Sequence, residues 1–302
     1  MAFARRMNTA HRMGIRVAAG IVAILLVGLG LGVAAAESFP QRIISNTPAT
    51  TEFLFALGLG DRVVAVSDYC AYPPEVKKLP HIGGLLNPNL ETALSLSPDL
   101  VIGTTAQREL RRKYEKLGVK FLPLSHDRLE SVFTNIEKIG RATGVPDKAD
   151  ALAKKIRAEL AATKARVEDK TRPRTLLVVG HQKGDVREVY VAGPQSFHGE
   201  LLELAGGDNI FADLKRPEEP YYPNVSAEQI VARNPEVIIV ISPDPEVSEK
   251  DVQMEKRTWA RLATLAAVKS GRVALLPANP NQAPGPRVHL IAEQFANALH
   301  GN

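Results

Sequence analysis

Pro88-Asn89-Leu90-Glu91-Thr92-Ala93-Leu94-Ser95-Leu96-Ser97-Pro98-Asp99-Leu100-Val101-Ile102 reads as a helix start, a short apolar-periodic helix, a proline stop and a buried-type strand. The same frame returns at Asn224-Val225-Ser226-Ala227-Glu228, and Pro235-Glu236-Val237-Ile238-Ile239 begins seven residues after its glutamate, as Pro98 does after Glu91. Asn89 and Ser226 each stand two residues before the glutamate, and both are residue types that cap helix N-termini. One unit used twice predicts two similar lobes. Each lobe then presents one carboxylate, Glu91 or Glu228, in the first turn of a helix, where the macrodipole favours it by about 0.3–1 kcal/mol. Taken singly, either acid is helix-start decoration. Taken together, two exposed acids on one rigid body can orient a partner that carries two basic residues, and such ion pairs give register more than affinity.

Outward from these frames the chain alternates strands and helices. Arg42-Ile43-Ile44-Ser45 is a short strand, Thr47 to Thr51 starts a helix, and Val63-Val64-Ala65-Val66 is a continuous run of the kind found in parallel sheets buried on both faces. Leu100 to Gly103 is a strand, Gln107 to Leu117 a charged surface helix, and Val119 to Leu124 the next strand. The pattern then changes. Leu129, Val132, Phe133, Ile136 and Ile139 follow helical spacing, and Leu152, Ile156 and Leu160 recur every four residues. Pro146 to Lys170 predicts one helix of about 25 residues, roughly 37 Å long, enough to cross between lobes. Its basic face (Lys154, Lys155, Arg157, Lys164, Arg166) is a solvated face.

Strands resume at Thr175 to Val179, near Val189-Tyr190-Val191, at Val237 to Ile241 and at Val273 to Leu276, with helices near Ser196 to Ala205, Val225 to Arg233, Asp251 to Leu265 and Pro286 to His300. Leu204-Ala205-Gly206-Gly207-Asp208 echoes Leu57-Gly58-Leu59-Gly60-Asp61, a second trace of the repeat. The predicted fold is α/β: two lobes with central parallel sheets, joined by one long helix, with a ligand cleft between them. The expected boundaries are a leader at 1–36, an N-terminal lobe at 37–128, a helical segment at 129–172 and a C-terminal lobe at 173–302.

The leader reading rests on Arg5, Arg6, Arg12 and Arg16, an uncharged run from Val17 to Ala36, and Ala34-Ala35-Ala36 before Glu37. A cleavable export signal into a Gram-negative periplasm is expected; an uncleaved anchor is the alternative, since about 20 apolar residues can span a bilayer. No cysteine stands at the cleavage point to take a lipid. The formal net charge of +5 falls to about +1 without the four leader arginines, so no nucleic-acid partner is expected. Cys70 is the only cysteine in the 302 residues, which excludes an internal disulfide and a cysteine metal cluster.

Tyr69, Tyr72, His81, His181, Tyr190, Phe197, His198, Tyr221 and Tyr222 all fall in or beside predicted strand-to-helix loops. Open α/β sheets bind ligands at the carboxyl ends of their strands, so this set predicts a site for a flat or bulky organic ligand. Any one of these residues alone reads more simply as a loop cap or a core residue. Tyr or His can also ligate iron or cobalt, and His81 and His181 are candidates for that role. Hydrolase, zinc-protease and phosphate-loop motifs are absent. A metal or acid–base centre of His181, His198 and Asp185, hence a metal-dependent enzyme, has no supporting spacing.

Arg42 to Ser45, Thr51-Glu52-Phe53-Leu54-Phe55-Ala56-Leu57-Gly58, Tyr72-Pro73-Pro74-Glu75, Asn89-Leu90-Glu91 with Ser97 to Ile102, and Gly206-Gly207-Asp208-Asn209-Ile210-Phe211 together carry a resemblance. The chain resembles the periplasmic substrate-binding proteins of ABC importers for vitamin B12, ferric siderophores and haem, over essentially everything after the leader. Tyr69-Cys70-Ala71-Tyr72-Pro73-Pro74 looks closest to the cobalamin binders. The resemblance implies a monomeric binding protein without turnover or a cofactor of its own. Its partners would be a permease dimer with a cytoplasmic ATPase, and Glu91 and Glu228 would be the acids that dock on the permease. It also implies a corrinoid as ligand, with haem or a ferric siderophore as the alternative. By the resemblance Tyr69 would line the cleft, Tyr222 falls where an aromatic meets the corrin and Tyr190 near a further aromatic contact; Tyr72, His181 and Tyr221 are candidates for the same cleft by residue type and loop position. Leu85 departs from the pattern, standing six residues before Glu91 where a B12 binder can carry Trp, and points toward a different pose or another chelate.

Overall fold

A computed structural model describes residues 39–214, 222–281 and 284–301. The leader (1–36) and Tyr221 lie outside the described residues. From Pro40 onward the chain forms one unit.

The N-terminal lobe alternates strictly. It runs β1 (Ile43–Ser45), α1 (Pro48–Ala56), β2 (Val63–Val66), α2 (Leu90–Ser95), β3 (Leu100–Thr104), α3 (Arg108–Lys116) and β4 (Lys120–Leu124). The strands form a parallel sheet in the order β2-β1-β3-β4. Local chemistry explains the starts and stops. Pro48 sits at the first position of α1, and the Thr47 hydroxyl caps it by accepting from the Thr50 N–H at 3.2 Å. Tyr72-Pro73 is a cis peptide.

Two helices lead to the second lobe. α4 (Leu129–Thr143) ends at Gly144, which takes the left-handed conformation, and α5 (Pro146–Val167) begins on a proline. At 22 residues α5 is roughly 33 Å long, three residues short of the expected stop at Lys170. Gly140 on α4 faces Ala149 on α5 so closely that a side chain at 140 would collide with it.

The C-terminal lobe runs β5 (Arg174–His181), β6 (Glu188–Val191), α6 (Phe197–Leu204), β7 (Asp208–Asn209), β8 (Asn224–Ser226), α7 (Ala227–Arg233), β9 (Val237–Ile241), α8 (Glu249–Trp259), α9 (Ala266–Lys269), β10 (Val273–Leu276), α10 (Ala278–Asn281) and α11 (Val288–His300). Its sheet has the order β10-β9-β5-β6-β8, with β7 beside the start of β5. β10, β9, β5 and β7 are parallel, as expected. β6 is antiparallel to both β5 and β8, which corrects the parallel reading there. The reason is length: the six residues between His181 and Glu188 are too few for a parallel crossover, which needs a dozen or more.

Two further helix boundaries differ from expectation. Val225 belongs to β8 and is buried, so the helix bearing Glu228 begins at Ala227. The expected helix from Asp251 to Leu265 stops at Trp259, continues as a 3-10 turn over Ala260–Leu262, and helix resumes at Ala266. Trp259 and Leu265 are both fully buried in the same cluster. Six residues apart, they would lie about 120° away from each other on a continuous helix, so the chain bends to bury both.

One apolar core passes through both lobes. It includes Ile43, Phe53 and Ile102 from the first, Ile136, Ile156 and Leu160 from the connecting helices, and Leu177, Phe197, Ile239 and Phe295 from the second. Separate clusters cover the remaining face of each sheet. The carboxyl ends of both sheets are left to loops.

Candidate functional site

A cavity of about 610 Å³ opens at the carboxyl end of the C-terminal sheet. Its walls come from the end of β5 and the following turn (Gly180, His181, Lys183, Gly184), from Tyr190 on β6, from His198 on α6 and from Tyr222. Ser242-Pro243-Asp244 after β9, Asp251, Met254, Glu255 and Thr258 on α8, and Leu275 complete it. The volume falls within the range of about 300–1,000 Å³ usual for pockets that take organic ligands.

Of the residues predicted for the cleft, the structure brings His181, Tyr190 and Tyr222 together here, with His198 beside them. Tyr190 is half exposed on an antiparallel strand, its ring displayed rather than packed. The Tyr222 hydroxyl lies 2.9 Å from His198 Nδ1, and the two rings meet edge to face with centroids 5.6 Å apart. Phe197 backs His198 in the same manner at 4.9 Å. Burial, reinforced by the negative charges of Asp127 and Glu200, raises the pKa of Tyr222, so its phenol stays protonated at any physiological pH.

His181 is placed differently from the expectation of a spare ligand. Its Nδ1 lies 2.9 Å from the Gln182 carbonyl oxygen and 3.1 Å from that of Asp185, and its Nε2 lies 2.9 Å from Glu255 Oε1. Both ring nitrogens are therefore engaged. The bond to Glu255 is the largest influence on its pKa and raises it, against the opposing effect of burial. Glu255 Oε1 also accepts from the indole N–H of the buried Trp259 at 2.7 Å, so this wall of the cavity is rigidly braced.

The N-terminal lobe contributes a separate edge. Tyr69 and Tyr72 follow β2, and both are exposed, at 64% and 42%. Leu85 is half-buried, and its carbonyl accepts from Asn46 Nδ2 at 3.2 Å and from Gln107 Nε2 at 2.5 Å, which pins its loop over the ends of β1 and β3. These three residues do not line the cavity described above. His81 is exposed and stands 3.6 Å from Asp68. Among the described residues, no group of three His, Cys, Asp or Glu is arranged to hold a metal ion.

Neither Glu91 nor Glu228 lines the cavity. Each is exposed in the first turn of its helix, α2 and α7. Asn89 caps α2 by accepting from the Thr92 N–H at 3.0 Å, and Ser226 caps α7 in a reciprocal box with Gln229. A hydrogen bond with Ser226 lowers the pKa of Glu228 below the ordinary carboxylate value.

Several site residues carry no signal that sequence reasoning used. Met254, Glu255 and Thr258 sit on a helix that reads as solvated, and Ser242 to Asp244 follow a strand without a motif. Their placement after β9 is the one usable cue. The ion pair of Glu52 with Arg287, one of those between the lobes, spans most of the chain and has no local signature.

The comparisons agree with this architecture. The family model described as periplasmic binding protein matches residues 43–280. A vitamin B12-binding protein of Yersinia pestis is 34% identical over 222 residues, covering 72% of this chain and 74% of that protein. Among solved structures, the periplasmic vitamin B12 binding protein BtuF of Vibrio cholerae superposes with a TM-score of 0.71 at 30% identity, over 86% of this chain and 96% of that one. A periplasmic heme binding protein from Pseudomonas aeruginosa superposes with a TM-score of 0.72 at 26% identity, over 86% and 93%. Two α/β lobes joined through helices, an edge of displayed aromatics on each lobe and a family match across both place this chain in the periplasmic binding protein family.

Proposed function

We propose that this protein captures a corrinoid between its lobes and delivers it to the permease dimer of an ABC importer driven by a cytoplasmic ATPase. It is a binding protein and not an enzyme, as its family is. The observation that carries the ligand reading is the display of tyrosines at the carboxyl edges of both sheets, Tyr69 and Tyr72 on one and Tyr190 on the other, with the partly buried Tyr222 lining the cavity beside Tyr190. Gathered at the sheet edges, their flat faces suit an apolar macrocycle. Polar groups around them, Lys183, Ser242, Asp244 and Asp251, suit the amide side chains of such a ligand. The vitamin B12-binding relatives support the same reading.

Haem is the second reading, supported by the heme-binding structural relative; Leu85 speaks against an identical corrin pose and suits another corrinoid, haem or an iron chelate equally. Isothermal titration with cyanocobalamin, haemin and a ferric siderophore in parallel separates the readings. Saturable binding of cyanocobalamin is expected; a Soret shift with haemin and no heat from cyanocobalamin would replace the corrinoid by haem.

Glu91 and Glu228 are proposed to meet basic residues of the permease. Glu91→Ala with Glu228→Ala should leave ligand affinity intact and abolish uptake in transport assays. Lost affinity would instead place these acids in the cleft. Residues 1–36 are proposed to be a cleavable export signal, on the strength of the four arginines, the uncharged run from Val17 and Ala34-Ala35-Ala36 before Glu37. N-terminal sequencing of the exported protein should read from Glu37; a retained leader would make it an anchor.

A further inference from the structure

Glu52 and Glu200 hold equivalent places in the internal repeat. Each stands four residues before the end of its helix, α1 ending at Ala56 and α6 at Leu204. Each helix is then closed by a left-handed glycine, Gly58 with φ 70° and Gly206 with φ 84°. Each glutamate reaches out of its own lobe and meets an arginine that precedes a helix: Glu52 meets Arg287 before α11 of the C-terminal lobe, and Glu200 meets Arg128, at the end of the N-terminal lobe before the connecting helix α4. Arg128 Nε donates to Glu200 Oε1 at 2.8 Å, and Glu200 Oε2 also accepts from the Leu129 N–H at 2.7 Å. Arg287 Nε donates to Glu52 Oε2 at 2.8 Å, and a terminal Arg287 nitrogen donates to Oε1 at 2.5 Å.

The two crossed pairs differ in surroundings. Arg128 is half exposed, whereas the side chains of Arg287 and Glu52 are 18% and 12% accessible. The Arg287 guanidinium also meets an aromatic face: its central carbon lies 3.9 Å from the centroid of the Tyr72 ring. A guanidinium can engage a carboxylate through its edge and a ring through its face at once, and a lysine ammonium cannot reproduce both contacts. Tyr72 belongs to the N-terminal edge of the cleft, and Arg287 belongs to the other lobe. The geometry points to Arg287 as a positioning residue, which holds Tyr72 as a fixed wall of the ligand cleft and, through Glu52, ties that wall to the C-terminal lobe.

This role rests on the reading that the cleft takes a corrinoid, and it predicts that affinity depends on pre-organisation of the wall. The test is a double-mutant cycle of Arg287→Lys and Tyr72→Ala, titrated with cyanocobalamin. Each single variant should weaken binding about tenfold or more, and the double variant no further than the worse single one. A merely structural pair would not couple to Tyr72, so losses that multiply, or wild-type affinity in Arg287→Lys, overturn the proposal. A second measurement needs no ligand: nitroxide labels at Lys116→Cys and Lys269→Cys report the inter-lobe distance by dipolar spectroscopy. The distribution should broaden in Arg287→Lys and in Glu52→Gln and stay narrow in Tyr72→Ala; an unchanged distribution in the first two overturns the tie. If the wild type takes no cyanocobalamin, the corrinoid reading fails by itself. The cycle is then run with haemin, while the distances still decide whether the pair holds the lobes.

Discussion

His181 converts a braced cavity wall into a dependence on pH. Its hydrogen bond to Glu255 raises the imidazole pKa above the ordinary value of about 6.5. A proton held more tightly in the folded chain than in the unfolded one stabilises the fold. That contribution is complete below the unfolded value, about pH 6.5, and is lost as pH rises through the higher folded value. The thermal midpoint of the wild type, measured against His181→Gln, should therefore show its larger advantage at pH 5.5 and a smaller one at pH 9. A difference independent of pH would mean that the imidazole does not titrate in this window. At the same scale, Cys70 is buried against Ser67 and Thr51, and burial raises its thiol pKa. Native protein at pH 7.5 should resist a thiol-specific disulfide reagent that reacts fully in denaturant; rapid native reaction would contradict the burial.

Among the elements, α7 shows how a seven-residue helix is made firm enough to present an acid. Alone it is too short to persist. It is held by the Ser226–Gln229 capping box, by Asn234 in left-handed conformation at its end, and by the buried Ile230. Ser226→Ala should cost about 1 kcal/mol in denaturant unfolding. It should also raise the Glu228 pKa toward the ordinary carboxylate value, because the Ser226 hydrogen bond is the main cause of its depression. Carbon-detected NMR of the side-chain carboxyls reads this directly; an unmoved Glu228 resonance would assign the depression elsewhere. These caps were legible in the sequence because Asn89 and Ser226 act within three residues of themselves. The pairing of β6 and β8 was not, because strand direction depends on a loop length read against a partner that the local pattern does not name. The bend at Trp259 was also hidden: the run reads as one helix until two buried side chains compete for one face.

For the molecule as a whole, the repeat announced two lobes and the structure contains them, each with its own sheet. The candidate site was legible by residue type and loop position, and only partly by grouping. Tyr190 and Tyr222 share a cavity, whereas Tyr69, Tyr72 and Leu85 stand on the other lobe's edge. Long-range pairs such as Glu52 with Arg287 leave no periodicity to find, although the equivalence of Glu52 and Glu200 was present in the repeat. The continuous core and the helical connection argue for a nearly fixed inter-lobe angle. Solution scattering with and without cyanocobalamin should show a change in radius of gyration below about 0.5 Å, small beside the overall size expected for a chain of this length. A larger compaction would point to a hinge.

The shared core has one more consequence. A receptor whose halves swing freely can let go of its cargo by a thermal opening. Here the halves are welded through Ile136, Ile156 and Phe197, so parting them means exposing oil to water. On the proposed delivery to a permease, unloading would become a task for the membrane machinery, which would have to prise the jaws while gripping each one separately. Two handles, one per jaw, are what Glu91 and Glu228 would supply.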